Sequence, residues 1–289
     1  MDNSAVVGAQ EMAGGIDRLS LVTFNAGLLQ FKLLGVSWYK NPPFTNRRLR
    51  KIPLALRGCD GDVLCLQEVY DNRHACYITD SLGWVYPYSG RCTSGGVLAL
   101  HNGLLTLSKF PVLDSAFYPF HRITLAESVF GSKGILACTI AVPNLGTLRV
   151  LNVHMVSGTV DPESRSLDDI RLQEMIQIVA LAQQASLLGH IPLIVGDFNA
   201  GPSVCPSSYE HLIEQGWQDA FAAARRPPTY QLPHLTTSAT SFEIGPSAPP
   251  LREDPDHSPI PPCSEAGFST PSLGFMKRNL STHTHTRSG

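Results

Sequence analysis

Four short apolar runs in this chain each lead into a residue that can bind a cation or move a proton. That recurrence narrows the fold more than any other feature. "LVTFN" ends in Asn25, "DVLCLQE" reaches Glu68, "LRVLNVH" ends in His154, and "LIVGDFN" carries Asp197 and Asn199. The runs are continuous rather than alternating, as in strands buried on both faces. Strand side chains alternate with period two, so Asp197 and Asn199 point the same way. Taken singly, the Gly-Asp-Phe-Asn stretch reads as a turn, Asn25 as a turn residue and His154 as a structural histidine. Four such strand ends in one chain favour a convergent site at the rim of a sheet.

Further apolar runs predict strands over 104–107, 134–141 and 96–100. "SLDDIRLQEMIQIVALAQQASLLG" predicts a helix. Ser166 and Asp169 have capping-box spacing, Leu172, Met175, Ile176 and Val179 fall on one side, and Gly189 supplies a stop. "RRLRKIPLAL" (47–56) predicts a weaker helix in which Pro53 interrupts the pattern or marks the first turn. Its basic residues read as a solvated face, with phosphate contact as the alternative. "SYEHLIEQG" (208–216) predicts a short third helix.

The donor types suggest a metal. Asn25, Glu68 and Asp197 offer only oxygen, which suits Mg²⁺ or Mn²⁺. Such a cation offsets charge on a phosphoryl group and helps its leaving oxygen depart. The seven cysteines form no CxxC pair and no zinc-type quartet, so reduced thiols are expected, with Cys65 and Cys138 buried in apolar runs. A net charge of −2 and a pI near 6.5 weigh against sequence-independent nucleic-acid binding.

"TFNAGLL", "DVLCLQEVYD", "NGLLTLSKFPV", "LNVHM" and "VGDFNAGP" resemble, in that order, the signature blocks of the endonuclease/exonuclease/phosphatase superfamily of metal-dependent phosphoesterases. The resemblance covers roughly residues 19 to 230. "ESVFGSKGILACTI", "RLQEMIQIVALAQ" and "AARRPPTYQ" lean toward the neutral sphingomyelinase-like branch. His154 also fits the deoxyribonuclease type, but not the abasic-site endonucleases. The resemblance implies an α/β four-layer sandwich: two mostly antiparallel β-sheets flanked by helices. It also implies roles. Asn25 and Glu68 match metal-binding positions, and Asp197 the carboxylate that orients or deprotonates the attacking water. Asn199 matches the amide that holds phosphate charge, and His154 the histidine that contacts the phosphoryl oxygens. Lys133 is a phosphate-binding candidate, with an ordinary surface lysine as the alternative.

Such domains close with a late strand and a Ser-Asp-His block. The late strand has no counterpart here. For the block there is only "DHSPI", which makes Asp256 a candidate metal ligand and His257 a candidate catalytic histidine. The setting is wrong: half of the 22 prolines lie from Pro227 onward, and Pro cannot donate within a central strand. A chance match in an altered C-terminus is the favoured reading. The expected organisation is a flexible leader over 1–17, a catalytic domain over 18–242 that is either complete or incomplete at its C-terminus, and a proline-rich, disordered tail over 243–289.

The expected activity is Mg²⁺- or Mn²⁺-dependent hydrolysis of a phosphodiester by in-line attack of water. The substrate is a lipid head group, with peripheral membrane contact. A nuclease or phosphatase of the same superfamily, or an inactive relic that only binds, are the alternatives. Without a signal-peptide pattern or an apolar run of spanning length, a cytoplasmic location is expected.

Overall fold

A computed structural model describes residues 19–33, 36–41, 43–92, 101–121, 133–157, 165–203, 205–220 and 274–276. In chain order the strands are β1 (Leu21–Asn25), β2 (Leu29–Leu33), β3 (Val36–Asn41), β4 (Val63–Gln67), β5 (Tyr88–Gly90), β6 (Leu105–Ser108), β7 (Val112–Pro119), β8 (Gly134–Val142), β9 (Gly146–His154), β10 (Ile191–Asp197), β11 (Gln218–Asp219) and β12 (Gly274–Met276). The helices are α1 (Thr45–Arg57), α2 (Asn72–Leu82), α3 (Arg165–Leu187) and α4 (Pro206–Glu214). A four-stranded sheet runs β1-β4-β6-β5, and a six-stranded sheet runs β11-β12-β10-β9-β8-β7. Within these two sheets pairing is antiparallel except at β1–β4 and β9–β10. The hairpin β2–β3 forms a separate two-stranded sheet.

Three apolar clusters explain why the strands read as continuous. On β4, Val63 and Cys65 enter the cluster between the sheets, while Leu64 and Leu66 pack under α1 and α2 with Leu49, Ile52 and Ile78. The second sheet repeats this. Leu148, Val150, Leu193 and Val195 face the first sheet, and Leu151, Val153 and Ile194 pack with Met175 and Ile178 of α3. β4, β9 and β10 therefore bury both parities. At roughly 25 cal/mol per Å², these faces supply most of the drive to form the layers.

A polar bridge crosses the inter-sheet layer. Gln67 Nε2 donates to Asn152 Oδ1 at 2.9 Å, and Asn152 Nδ2 donates to the carbonyl oxygens of Leu66 at 3.2 Å and Leu105 at 3.4 Å. Both residues are fully buried, so the bonds offset their desolvation.

Several expectations change. The expected tail over 243–289 contributes β12, which pairs antiparallel with both β10 and β11. The open edge of β10 offers unpaired backbone groups, and the short Gly274-Phe275-Met276 segment satisfies them. Pro53 lies inside α1, and the helix continues through it to Arg57 with Ile52, Pro53 and Leu56 buried. On α3 the inward face carries Arg171 and Glu174 beside Met175 and Ile178, while Ile176 is exposed. Cys59, Cys65, Cys92, Cys138 and Cys205 are reduced, whereas Cys76 is disulfide-bonded, contrary to uniformly reduced cysteines. The sequence reading missed α2, capped by Asp71 accepting from Arg73 N–H at 2.8 Å, and also β7, whose largely exposed edge position leaves little apolar pattern. The strand expected over 96–100 lies outside the described residues. No helix among them is long and apolar enough to cross a membrane.

Candidate active site

The two parallel strand pairs build the site. Parallel neighbours end at the same edge of a sheet. β1 and β4 run in register with Asn25 opposite Gln67, so Asn25 and Glu68 emerge together. β9 and β10 run in register with His154 opposite Asp197. Antiparallel β8 starts at that edge, Gly134 opposite His154, and so brings Lys133 there too.

Side-chain parity selects the direction. Asn152 and His154 continue the face of Leu148 and Val150, and Asp197 continues that of Leu193 and Val195, so all point into the inter-sheet layer where it opens. Glu68 has the wrong parity: an extended β4 would aim it with Leu64 and Leu66 under the helices. Its φ of 60° breaks the strand, and Oε1 accepts from Asn25 Nδ2 at 2.9 Å. A positive φ is uncommon at a non-glycine residue.

Asn25 Nδ2 also donates to Asp197 Oδ2 at 2.9 Å, while Asn25 Oδ1 accepts from the Gly27 N–H at 2.9 Å. The turn reading of "GDFN" is realised, and it leaves the Asp197 carboxylate beside Asn25. Asp197 Oδ1 accepts from the Asn199 N–H at 3.1 Å in an Asx turn, with Asn199 at φ 46°, and Oδ2 faces the site. Gly196 is required by close approach: at φ 144°, a Cβ there would stand 2.0 Å from the Val153 carbonyl oxygen.

Lys133 is not a surface lysine. It is buried, and its ammonium donates to Met155 O at 2.6 Å and lies 3.1 Å from His154 Nε2. Asn199 Nδ2 donates to the same Met155 oxygen at 3.0 Å. His154 Nε2 stands 3.9 Å from Asp197 Oδ2.

The charges fit these contacts. Burial raises the Asp197 carboxyl above its usual range, opposed by the Asn25 hydrogen bond, Lys133 and the Asn199 N–H. Burial also raises Glu68, against the Asn25 hydrogen bond, and Asp197 adds to the rise. Burial, then the Lys133 charge, holds His154 well below 6.5, so its ring is neutral at neutral pH. A neutral Nε2 facing an ammonium is an acceptor, which leaves the proton on Nδ1.

Two carboxylates, both raised by burial and sharing one amide, suit a hard divalent cation with oxygen preference. Among the described residues no group of three or more His, Cys, Asp and Glu side chains could hold a metal. A cation here would take Glu68 and, with its amide turned to present Oδ1 in place of Nδ2, Asn25, leaving positions open for water and substrate, the habit of Mg²⁺. Asp256 and His257 lie outside the described residues.

The site draws on residues the sequence did not mark. Arg48 Nη2 of α1 donates to Ala26 O at 3.3 Å, and its charge acts on Glu68, so this member of the basic run is not purely solvated. Glu174 of α3 accepts from the Val156 N–H. The one available signal for Glu174 was a carboxylate at helical spacing among core positions.

A family model described as "Endonuclease/Exonuclease/phosphatase family" matches residues 22–234. The chain belongs to the endonuclease/exonuclease/phosphatase family. Among its relatives is inositol phosphosphingolipids phospholipase C of Schizosaccharomyces pombe, 27% identical over 70% of this chain and 47% of that protein. Two solved structures share the fold. Sphingomyelinase C from Streptomyces griseocarneus has a TM-score of 0.56 at 22% identity, covering 70% of this chain and 72% of that one. A Staphylococcus aureus beta toxin mutant with bound magnesium ions has 0.55 at 20%, covering 70% and 71%. The chain spans less than half the length of the curated relatives it matches.

Proposed function

We infer that this chain is a Mg²⁺-dependent phosphodiesterase that hydrolyses the head group of a sphingolipid, by water attack on phosphorus. The observation that carries the reading is the meeting of Asn25, Glu68, Lys133, His154 and Asp197 at the ends of two parallel strand pairs. The lipid preference draws on the relative named for inositol phosphosphingolipids and on the fold shared with a sphingomyelinase.

Each side chain has a task in that chemistry. Asn25 and Glu68 would hold Mg²⁺, which supplies charge neutralisation to a phosphoryl oxygen and its leaving group. Asp197, raised by burial, orients the attacking water and accepts its proton. Lys133 and the Asn199 amide offset charge that grows on the phosphoryl oxygens. His154 is neutral, so its ring adds no positive charge that would repel a cation beside the phosphoryl group.

The test is hydrolysis of sphingomyelin in detergent, with and without EDTA, beside plasmid DNA. We expect lipid cleavage that EDTA abolishes. Cleavage undiminished by EDTA rules out the metal role. Cleavage of DNA but not lipid assigns a nuclease, and Mg²⁺ binding without turnover of lipids, nucleic acids or inositol phosphates assigns a binding relic.

A further inference from the structure

Glu174 is a carboxylate almost entirely withdrawn from water, 1% exposed, in the middle of α3. Burying a carboxylate is costly, so its contact matters. Its Oε2 accepts from the Val156 N–H at 3.0 Å. β9 has ended at His154, so that N–H has left the strand ladder. The carbonyl of the same peptide unit, Met155 O, accepts from Lys133 Nζ at 2.6 Å and Asn199 Nδ2 at 3.0 Å. Met155 N–H donates to Asp197 O at 2.9 Å. One peptide plane is thus held at its N–H by a buried carboxyl oxygen and at its oxygen by two site residues.

We propose that Glu174 is a positioning residue that orients Lys133, Asn199 and His154 through the Met155–Val156 peptide. A carboxylate accepting from a peptide N–H polarises that peptide and enriches its oxygen in negative charge. The enriched oxygen holds the Lys133 ammonium and the Asn199 amide more firmly. Lys133 then stays 3.1 Å from His154 Nε2 and fixes which ring nitrogen accepts. A purely structural role, capping one buried N–H, needs an acceptor but not a charge. Gln keeps an acceptor oxygen and removes the charge, so Glu174→Gln separates the two roles.

The activity arm rests on the phosphodiesterase reading above, and the spectroscopic arm does not. The full chain is labelled with ¹⁵N-histidine, and the His154 ring resonances are assigned by their loss in His154→Gln. At one fixed pH, folded Glu174→Gln is expected to show displaced His154 ring ¹⁵N shifts. Its kcat falls ~10-fold or more with KM nearly unchanged, as small misplacements do, and Glu174→Asp recovers part of it. Unmoved His154 shifts in folded Glu174→Gln overturn the proposal whatever the turnover. Displaced shifts in a protein that cleaves no phosphodiester sustain the positioning role and reject the phosphodiesterase reading. Glu174→Ala adds loss of the hydrogen bond itself; if it fails to fold, Glu174→Gln still decides.

Discussion

Asn25 Nδ2 lies 2.9 Å from Asp197 Oδ2, a hydrogen bond between residues 172 positions apart that joins the end of β1 to the end of β10. It closes the open end of the inter-sheet layer and brings the Glu68 carboxylate, on the same amide, into the Asp197 field.

Neutralising either carboxylate should therefore cost chemistry. Glu68→Gln and Asp197→Asn are each expected to lower the hydrolysis rate by at least ~100-fold, the usual scale for deleting a catalytic group. Calorimetric Mg²⁺ titration separates them: Glu68→Gln weakens binding most. Equal rates in variant and wild type would remove these residues from the mechanism.

Stability of the metal-free protein should depend on pH through two opposed groups. The folded chain resists protonating His154, whereas the unfolded chain takes up that proton near the ordinary value of 6.5. The unfolded state binds more protons as pH falls below that value, so stability falls until the lowered folded value is reached. Glu68 and Asp197 act the other way. Their folded values are raised, so their contribution declines as pH climbs from the ordinary 4.5 and 3.8 through the raised values. Thermal unfolding between about pH 5 and about pH 7 should show a smaller acid loss in His154→Gln than in wild type. An equal loss would show that His154 is not held neutral.

Gly196→Ala should be severely destabilising. The added Cβ meets the Val153 carbonyl at 2.0 Å, and φ is 144°. A cost of about 3 kcal/mol or more is expected from urea unfolding. A near-neutral result would mean that β9 and β10 can separate at this point without penalty.

Asn152→Ala leaves the buried Gln67 amide without its side-chain partner on the second sheet. It is expected to cost about 1–3 kcal/mol. A double-mutant cycle with Gln67→Ala should give a coupling of roughly 0.5–3 kcal/mol; strict additivity would show that the bridge does not join the sheets energetically.

His257→Ala is expected to leave turnover and Mg²⁺ affinity unchanged, because the prolines around it remove backbone donors that a central strand needs. Steady-state kinetics check this, and loss of turnover with Mg²⁺ affinity intact would place His257 in the catalytic machinery.

Local chemistry made much of the site legible before any fold was known. An apolar run ending in Asn25, Glu68, His154 or Asp197 signals a strand end by composition alone, and oxygen-only donors imply a hard cation. The continuous runs implied strands buried on both faces, and clusters on either side of β4 and β10 bear that out. Other features were beyond local pattern. Which strands run parallel, and hence that Asn25 meets Asp197, is set by pairings between distant segments. Glu68 has the wrong parity for the site, and only the φ of 60° redirects it. Lys133 read as either a phosphate-binding candidate or a surface lysine, and Glu174 was not marked, because their sequence neighbours do not disclose their partners. Their burial is decided by Met155 O and Val156 N–H, backbone groups freed where β9 ends. Sequence periodicity reports how one segment divides its faces. Which charge ends up dry, and against what, depends on the two sheets closing over one another.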